Sequence, residues 1–372
     1  MGSINDRTFE IDNFVAPASL PSGLKEALLE YITSVSFKTT EPLDLSTACV
    51  SADNVEEWVA WKPDLEEVLK KYDADKSLGQ FPGFHSGERY EILTKDGRSI
   101  ILGKGTYGTV YLAQDKMTND LVAIKAFHKV DSIDNYEADL REVSWTRKAR
   151  ALLGNNVTDC RALLLLDETV SHDYDHVLAV FDFVSVWDRL PVSMMLHDAM
   201  TLEATGKSVV SQDQWQSIFL QLIDSMNKLE DANIAHLDIK NNNIMLQFGS
   251  SGEVTPVIID FGLATNPKVS HLLPTDTYFP PTPEEDRIAH HPPELYTGPV
   301  PLPMADLYSV MYLIYDISLL LNMTCVSVYA WDYTYLPACD RLHHEEVKNR
   351  LIEIFTKPCS LDGTEHEVCE SS

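Results

Sequence analysis

The feature of this chain that most limits its fold is a change of hydrophobic pattern near residue 185. Before this point, short runs rich in Val, Ile and Leu alternate with turn residues, which is typical of β-strands. Beyond it the pattern is mainly helical, and in 215–229 apolar residues recur at helical spacing. The strands are predicted at 99–102, 110–113, 121–127, 162–166 and 176–183. A β-rich half followed by an α-rich half predicts an α+β fold with two lobes and a cleft between them.

The first 88 residues differ in character from the rest of the chain. Prolines interrupt this acidic segment, and helical patterns are predicted at 22–32 and 55–72. Two interpretations stay open: a small helical cap or partly ordered tail, and a regulatory or docking module whose ligand the sequence does not name. The predicted division is a partly helical extension at 1–88 and a two-lobed domain at 89–365, with an N-lobe at about 89–183 and a C-lobe at about 185–365.

The net charge of the chain limits the classes of molecule that it can bind. It has 29 Lys and Arg residues against 57 Asp and Glu residues, a net charge of −28. Such a field repels nucleic acids and anionic membranes, so we expect neither a nucleic acid nor a membrane as partner. The first 16 residues lack the basic start and the apolar stretch of a signal peptide, so we expect none. The apolar run 307–323 is interrupted by Asp316, which predicts a buried helix. The six cysteines form no C-x-x-C pair, so we expect free thiols in an intracellular protein.

A polar loop after residue 235 carries side chains suited to phosphoryl transfer. Asp238 precedes Asn243 by five residues in the stretch H-L-D-I-K-N-N-N, and Asp260 follows an apolar run 22 residues after Asp238. Transfer from Mg-ATP needs one Asp to orient the accepting hydroxyl, and an Asn and a second Asp to hold Mg²⁺. The spacing predicts that Asp238 acts on the hydroxyl and that Asn243 and Asp260 are the metal ligands.

A glycine-rich segment upstream predicts a phosphate-binding turn. Glycines allow the backbone to approach phosphates closely, but dinucleotide-binding folds use a similar string. Here a strand and not a helix follows the glycines, and Lys125 stands near the place where those folds want an acidic residue. A Lys in an apolar strand is costly to bury without an anion, which predicts contact with a phosphate. The segment reads G-K-G-T-Y-G-T-V and contains Gly103, Lys104, Gly105, Gly108 and Val110.

Lys125 also needs a carboxylate to hold its ammonium group in position. Two glutamates on the helix predicted at 135–153 are candidates, Glu137 and Glu142, and Glu142 is the better placed. The alternative interpretation is that Glu142 is an ordinary solvated residue of this helix.

Together these motifs resemble those of the eukaryotic protein kinase family, over about residues 89–330. The order is the same: glycine-rich loop, V-A-I-K, helix Glu, catalytic loop, D-F-G, then P-P-E at 292–294 where the family has A-P-E. Asp306 follows in a stretch similar to the family's D-x-W-S. The resemblance implies a small β-rich N-lobe, a mainly helical C-lobe, and transfer of phosphate from ATP with Mg²⁺ to a protein. Lys240, two residues after Asp238, is typical of the Ser/Thr branch.

The same resemblance implies a role for each residue of the site. Asp238 would be the catalytic base, and Lys240 would lie near the transferred phosphate. Lys125, paired with Glu142, would position the α- and β-phosphates under the glycine-rich segment. Val110, Ala123 and Met245 would enclose the adenine from its two faces. Asp182 and Val184 would bind it through backbone hydrogen bonds, and Phe181 would be the gatekeeper residue before them.

Three departures from the family pattern leave other functions open. Leu237 replaces the family Arg before the catalytic Asp, which argues against control by phosphorylation of the activation segment. The segment 287–291 has neither the Thr nor the Tyr or Trp that seats the substrate, and only 66 residues follow Asp306. The alternatives are a pseudokinase scaffold that binds nucleotide with little or no catalysis, and a small-molecule kinase. The preferred hypothesis is an active Ser/Thr kinase whose protein substrate carries basic residues near the target, with the oligomeric state left open.

Overall fold

The structure, a computed structural model, has a β-rich lobe followed by a helical lobe, and the predicted two-lobed α+β fold is confirmed. The lobes follow one another in the chain because the strand-type pattern and the helix-type pattern do not intermix. The residues that the structure describes are 38–41, 43, 45, 49–50, 67, 70, 87–105, 108–128, 136–166, 174–182, 194–249, 252–266, 288, 290–297, 302–321 and 343–356.

The N-lobe is built on one antiparallel sheet. Within the described ranges its strands are β1 (Lys38–Thr40), β2 (Cys49–Val50), β3 (Tyr90–Ile92), β4 (Thr94–Lys95), β5 (Arg98–Lys104), β6 (Gly108–Asp115), β7 (Leu121–His128), β8 (Cys160–Leu166) and β9 (Tyr174–Asp182). Their order across the sheet is β1-β5-β6-β7-β9-β8-β2, with β3 paired to β6 and β4 to β5. The strands predicted from the sequence correspond to β5 through β9.

The two faces of this sheet differ, because successive side chains of a strand point to opposite faces. The register places Tyr111 opposite Ile124, and Ile124 opposite Val180. These three side chains belong to one buried apolar cluster, which defines the outer face of the sheet. The alternate residues, Lys125 among them, therefore point to the inner face, toward the other lobe.

Part of the segment predicted as an N-terminal extension is joined to this sheet. β1 pairs antiparallel with β5, and β2 pairs antiparallel with β8, so the segment supplies both edge strands. Leu45 is buried in the outer-face cluster and Leu43 packs against it, while the Leu43 N–H donates to Ser99 Oγ at 3.2 Å. The edge of the sheet therefore does not coincide with the predicted division at residue 88, and that division stays a prediction.

The helical patterns predicted in the extension fall largely outside the described residues. The pattern at 22–32 lies wholly outside them. Of the pattern at 55–72, only Glu67 and Lys70 are described, and both are helical. The sequence did not predict β1 and β2, because strands of two or three residues are too short to show an alternation.

The C-lobe consists of helices around a small antiparallel sheet. Helix α3 begins with a capping box between Ser211 and Gln214, in which each side chain accepts the other residue's N–H. The apolar stripe predicted in 215–229 is buried, and α5 is the buried helix predicted at 307–323. None of the helices described is long and apolar enough to cross a membrane. The elements are β10 (Met194–Met195), α2 (Leu196–Ala204), α3 (Gln212–Asp231), β11 (Ile244–Phe248), β12 (Val254–Ile258), α4 (Glu294–Thr297), α5 (Leu302–Leu320) and α6 (His344–Thr356).

Helix α1 (Tyr136–Leu153) connects the two lobes, at the position predicted as 135–153. Its second half belongs to the C-lobe core, where Trp145 and Ala149 are buried. Its first half carries Glu142 to the inner face of the sheet, against β7. One helix thus fixes the position of a charged side chain relative to both lobes.

Candidate active site

Lys125 connects the lobes through carboxylates from two different elements. Its Nζ lies 2.7 Å from each carboxylate oxygen of Glu142 on α1, and 3.3 Å from Oδ1 of Asp260 beyond β12. Burial lowers the pKa of Lys125, but the two carboxylates outweigh this effect and hold it above its ordinary value. Burial raises the pKa of Glu142, and Lys125 opposes that rise. The structure therefore pairs Lys125 with Glu142, while the side chain of Glu137 lies outside the described residues.

Gly262 of the D-F-G stretch allows two carboxylates to approach the same backbone. A Cβ at this position would lie 3.2 Å from Oδ1 of Asp260 and 3.3 Å from Oε2 of Glu142. Asp260 has a φ of 63°, in the left-handed region that few residues other than glycine adopt. Phe261 is buried, with its ring centroid 4.5 Å from that of His236. Packing of the D-F-G stretch thus holds the Asp260 carboxylate at the cleft.

The Asp238 carboxylate is surrounded by three side chains. Lys240 Nζ lies 2.9 Å from Oδ1 and 2.7 Å from Oδ2. Asn243 Nδ2 donates to Oδ2 at 2.8 Å and to the Asp238 carbonyl at 2.9 Å. His290 Nε2 lies 3.6 Å from Oδ1. Burial opposes ionisation, but the contacts with His290 and Lys240 outweigh it and lower the pKa of Asp238 to about 2.

The backbone that carries Asp238 is strained, and Asp306 holds it in place. Leu237 has a φ of 64°, a conformation that costs about 1–3 kcal/mol in residues other than glycine. The buried carboxylate of Asp306, on α5, accepts the N–H of His236 at 2.6 Å and that of Leu237 at 2.7 Å. Burial raises the pKa of Asp306 to about 7, and the two N–H donors oppose that rise. The Leu237 side chain is buried in the C-lobe core, so this position offers an apolar contact and no cation.

His236 links the Asp238 loop to the strand that precedes Asp260. Its Nδ1 accepts the Asp238 N–H at 3.2 Å, which leaves Nε2 to donate to the Ile259 carbonyl at 3.2 Å. Burial lowers the pKa of His236, which favours this neutral form. The Ile259 N–H in turn donates to the Asn243 carbonyl at 3.0 Å. The two predicted metal ligands, Asn243 and Asp260, are therefore brought together by the backbone at one end of the β11–β12 pair.

The glycine-rich segment forms the turn between β5 and β6. Gly103 and the exposed Lys104 end β5, and the Gly105 N–H donates to the Gly108 carbonyl at 3.0 Å. A Cβ at Gly108 would lie 2.7 Å from the carbonyl oxygen of Ala126 on β7, so the two backbones approach too closely for any side chain. At Gly103 and Gly105 a Cβ would meet open space. The two residues between Gly105 and Gly108 lie outside the described part of the chain.

The residues expected at the faces of the adenine come from both lobes. The register sets Val110 opposite Lys125 and Ala123 opposite Phe181, so these four side chains share the inner face of the sheet. Val110 and Ala123 are half-buried there, whereas Met245 is buried on β11 of the C-lobe. The half-buried pair leaves apolar surface at the inner face of β6 and β7.

Asp182, expected to bind the adenine through its backbone, is held by its neighbours. Its side chain pairs with Arg161, and its N–H donates to the Asp159 carbonyl at 2.8 Å. Its carbonyl accepts the Thr158 hydroxyl at 3.2 Å, and a carbonyl oxygen has a second lone pair that a ligand could use. Val184, the other residue expected here, lies outside the described residues.

Two groups of side chains offer ligands for a cation. Because Asn243 turns its amide nitrogen to Asp238, its amide oxygen is the atom left to coordinate, and Asp260 adds a carboxylate; both ligand types suit Mg²⁺. In the second group, one ligand atom from each residue lies within 4.8 Å of the others. An ammonium group already lies 2.7 Å from Asp238 and opposes a cation in this second group. The second group consists of Asp238, His290 and His291.

Sequence reasoning does not reveal two contributors to the site. The first is His290. In the sequence, segment 287–291 stands out only because it lacks the family's Thr and its Tyr or Trp, yet in the structure its residue His290 contacts Asp238. Asp306 is recognisable by its motif, but its two hydrogen bonds to the Asp238 loop are visible in the structure alone. An acidic residue within a strongly apolar helix is a usable signal, because a buried carboxylate must find donors.

Comparisons with known proteins show which family the chain is similar to. The family model described as the protein kinase domain matches residues 98–318, more than half of the chain. The chain is 26% identical to Cyclin-dependent kinase 11B of Mus musculus, over 58% of this chain and 24% of that relative. It is 32% identical to Cyclin-dependent kinase 12 of Drosophila melanogaster, over 53% of this chain and 15% of that relative.

A third relative comes from yeast. The chain is 28% identical to Serine/threonine-protein kinase TOS3 of Saccharomyces cerevisiae, over 47% of this chain and 30% of that relative. The match spans less than a third of the length of each of these three relatives. Since the family model extends from β5 in the N-lobe to α5 in the C-lobe, and includes both the Lys125 and the Asp238 clusters, the chain belongs to the eukaryotic protein kinase family.

Proposed function

We propose that this chain transfers the γ-phosphoryl group of ATP to Ser or Thr hydroxyls of protein substrates. The observation that carries the proposal is the position of Lys125, whose ammonium group contacts Glu142 on one side and Asp260 of the other lobe on the other. This contact aligns the inner face of the N-lobe sheet with the loop that carries Asp238. The choice of Ser or Thr is supported by Lys240 and by the name of the yeast relative.

The contacts of Lys125 would let it bind phosphate without losing its pairing with Glu142. Its contact with Glu142 is bidentate and short, at 2.7 Å, whereas its contact with Asp260 is longer, at 3.3 Å. An ammonium group has three N–H donors, so it can exchange the longer contact for phosphate oxygens and keep the shorter one. We infer that Glu142 positions Lys125 while the α- and β-phosphates bind, beneath the turn that Gly103, Lys104, Gly105 and Gly108 form.

The donor set fits a magnesium ion. Asn243 would supply its amide oxygen and Asp260 its carboxylate, and the β11–β12 backbone brings the two together. When bound, Mg²⁺ would supply positive charge that offsets part of the charge on the phosphates. Lys125 and Asp238 each contact one of these ligands and so keep it oriented before the ion arrives.

Asp238 would act mainly by orientation. A carboxylate with a pKa of about 2 is a weak base at neutral pH, so it accepts a hydrogen bond from the hydroxyl and takes up the proton late in the transfer. Lys240, which contacts both oxygens of Asp238, would place its positive charge beside the transferred group. The adenine would lie between Val110 and Ala123 on one face and Met245 on the other.

We further propose that the protein substrate carries basic residues near the phosphorylated hydroxyl. The support is the net charge of −28, which attracts cationic segments. Two peptides with the same central Ser test this proposal. One has Lys and Arg beside the Ser, and the other has Ser and Ala, so a difference in kcat/KM reports a preference for basic residues. We expect the basic peptide to have the higher kcat/KM, with an advantage that shrinks as salt is added. Equal kcat/KM values at low salt would argue against it.

The activity is tested with purified protein, Mg²⁺ and ATP labelled on the γ-phosphate, with and without a mixture of basic proteins. Asp238→Asn keeps the shape of the side chain and removes its charge, so we expect transfer to fall by about a hundredfold or more. Asp213→Asn, at an exposed position of α3, is the matched control and keeps wild-type transfer. Nucleotide binding without transfer in the wild type would favour a scaffold, and transfer to small molecules alone would favour a small-molecule kinase.

A further inference from the structure

His290 occupies a defined position beside Asp238. Its Nε2 lies 3.6 Å from Asp238 Oδ1, and the two side chains are 15% and 14% exposed. The His290 ring packs edge-on against His291, with centroids 4.7 Å apart. A side chain that is mostly buried and packed on one side has few alternative orientations. The contact with Asp238 is therefore a feature of the fold and not of a mobile surface side chain.

Helix α5 sets the positions of both partners. Asp306 accepts the backbone N–H groups of His236 and Leu237, which precede Asp238. Ser309, three residues further along the same helix, places its Oγ 2.7 Å from the His290 carbonyl oxygen. Residues three apart lie on the same face of a helix. One helical face thus fixes the loop that carries Asp238 and the segment that carries His290.

The contacts around Asp238 divide between its two oxygens. Oδ2 is approached by both Asn243 at 2.8 Å and Lys240 at 2.7 Å, so its acceptor positions are occupied. Oδ1 is approached by Lys240 at 2.9 Å and, among the described residues, by His290 at 3.6 Å. Oδ1 is thus the oxygen with room for a further donor, and the His290 imidazole lies beside it.

We propose that His290 is a positioning residue for the phosphoryl acceptor: its imidazole Nε2, beside Asp238 Oδ1, directs that oxygen toward the substrate hydroxyl. The proposal rests on the proposed function, because it assigns Oδ1 as the atom that receives the hydroxyl. His290 makes no bond to the transferred phosphorus in this scheme. It acts through Asp238, whose other oxygen is already fixed by Asn243 and Lys240.

Two variants of similar size test the polar contact. His290→Gln places an amide nitrogen or oxygen near the position of Nε2, whereas His290→Leu fills the space without a polar atom. We expect His290→Leu to lower kcat by about tenfold to a hundredfold, because a misplaced reacting group costs rates of that order. The KM for ATP should stay unchanged in both variants, since among the described residues no contact joins His290 to Lys125 or to the glycine-rich turn. His290→Gln should recover most of the wild-type kcat.

The outcomes distinguish a positioning role from a structural one. Equal kcat values for the wild type and His290→Leu would overturn the proposal, and so would equal losses in the Leu and Gln variants when their melting temperatures match the wild type. If both variants at position 290 fail to fold, Ser309→Ala is used, which keeps the His290 side chain but removes the contact that holds its backbone carbonyl, so the imidazole is no longer fixed beside Asp238. A lowered kcat with an unchanged KM for ATP supports the proposal, and an unchanged kcat overturns it.

A measurement without catalysis separates this proposal from the proposed function. The ¹⁵N chemical shift of the His290 imidazole, recorded at one pH in the 372-residue chain, reports the group beside it. We expect the shift to change in Asp238→Asn and to stay at its wild-type value in Asp213→Asn. An unchanged shift in Asp238→Asn means that the two side chains do not interact and overturns the proposal. A changed shift in a protein that transfers no phosphate contradicts the proposed function while it upholds the contact.

Discussion

The charged residues of the site are held by partners from both near and distant parts of the chain. Lys125 is held by Glu142 and Asp260, which lie 17 and 135 residues away. Asp238 contacts Lys240 nearby and His290 from the segment before α4. Removing one partner of a buried ion pair destabilises a protein by about 3–5 kcal/mol, because the other charge stays buried without compensation. Single substitutions in these pairs should therefore affect folding as well as activity, and isosteric variants separate the two effects.

Leu237 gives a prediction about charge at the position where the family pattern has Arg. Its side chain is buried in the C-lobe core, 2% exposed, and its backbone is already strained. We expect Leu237→Arg to lower the free energy of unfolding by about 3–5 kcal/mol, because an unpaired guanidinium would be buried. Leu237→Met is the control and should cost less than about 1.5 kcal/mol. Chemical denaturation measures both, and a stable Arg variant would mean that a partner for the cation exists.

The glycine-rich turn contains a matched pair of positions for a second prediction. A Cβ at Gly108 meets the Ala126 carbonyl oxygen at 2.7 Å, whereas a Cβ at Gly103 meets nothing within 4 Å. We expect Gly108→Ala to cost about 1–3 kcal/mol of stability, since β6 and β7 must separate to admit the methyl group. Gly103→Ala should leave the melting temperature nearly unchanged. Similar melting temperatures for the two variants would show that the β6–β7 pairing adjusts without cost.

At the scale of elements, helix α5 holds the loop that carries Asp238. It does so mainly through Asp306, which accepts the N–H groups of His236 and Leu237. In Asp306→Asn one oxygen can still accept an N–H, but the amide nitrogen then faces the second N–H. We expect a loss of about 1–3 kcal/mol in stability and a lower kcat, because a buried donor is left unsatisfied and the Asp238 loop relaxes. The KM for ATP should change little. These quantities are read from thermal unfolding and steady-state kinetics.

Asp316 on the same helix provides the control for that variant. Burial alone raises the pKa of Asp316 to about 6, and no described residue donates a hydrogen bond to it. Asp316→Asn removes a poorly solvated carboxylate, so stability should stay the same or increase, with kcat unchanged. An equal loss of stability in Asp306→Asn and Asp316→Asn would show that α5 tolerates an amide at neither position. The two N–H contacts of Asp306 would then not explain the loss.

The elements that the sequence predicts are those with long, regular patterns. Strands β5 to β9 and helices α1, α3 and α5 each extend far enough to show alternation or a helical stripe. Short strands such as β1, β2 and β10 are stabilised by pairing with distant partners, which no local pattern encodes. The same limit applies to the site. Lys125 and Asp238 are visible because their spacing is characteristic, whereas His290 meets Asp238 only through the packing of α5.

At the scale of the whole molecule, the lowered pKa of His291 should make the stability of the protein depend on pH. Burial, with the neighbouring His290, lowers the pKa of His291 to about 4 from an unfolded value of about 6.5. Between these values the unfolded chain binds more protons than the folded one. This contribution to stability is therefore complete above about pH 6.5 and is lost as the pH falls toward 4.

His291→Gln tests this dependence, because a Gln does not titrate. The free energy of unfolding, measured by denaturation at pH 7 and pH 5, should fall less in the variant than in the wild type. The difference should not exceed about 1.4 kcal/mol per pH unit, and solvent screening reduces it. Other titrating groups contribute equally to both proteins and cancel in the comparison. Parallel losses in the two proteins would assign the acid sensitivity to groups other than His291.

The N-lobe sheet includes strands that precede the matched kinase domain, so we expect it to need them for stability. The kinase family model begins at residue 98, yet β1 and β2 precede it and form both edges of the N-lobe sheet. Leu45 is 4% exposed against the outer face of that sheet. Removing these strands would expose unpaired backbone at β5 and β8 together with apolar surface, which favours aggregation as well as unfolding.

Two truncated chains separate the strands from the rest of the extension. A chain that begins at residue 37 keeps β1 and β2 and should unfold near the wild-type temperature, while one that begins at residue 87 should unfold earlier and aggregate. Backbone amides of β5 and β8 should then exchange hydrogen faster in the shorter chain, as expected of newly exposed edges. Leu45→Asp, compared with Glu41→Gln at an exposed position, tests the outer face in the untruncated 372-residue chain. If the chain from residue 87 is as stable as the chain from residue 37, the extension is an appendage, and the N-lobe sheet is complete without its edge strands.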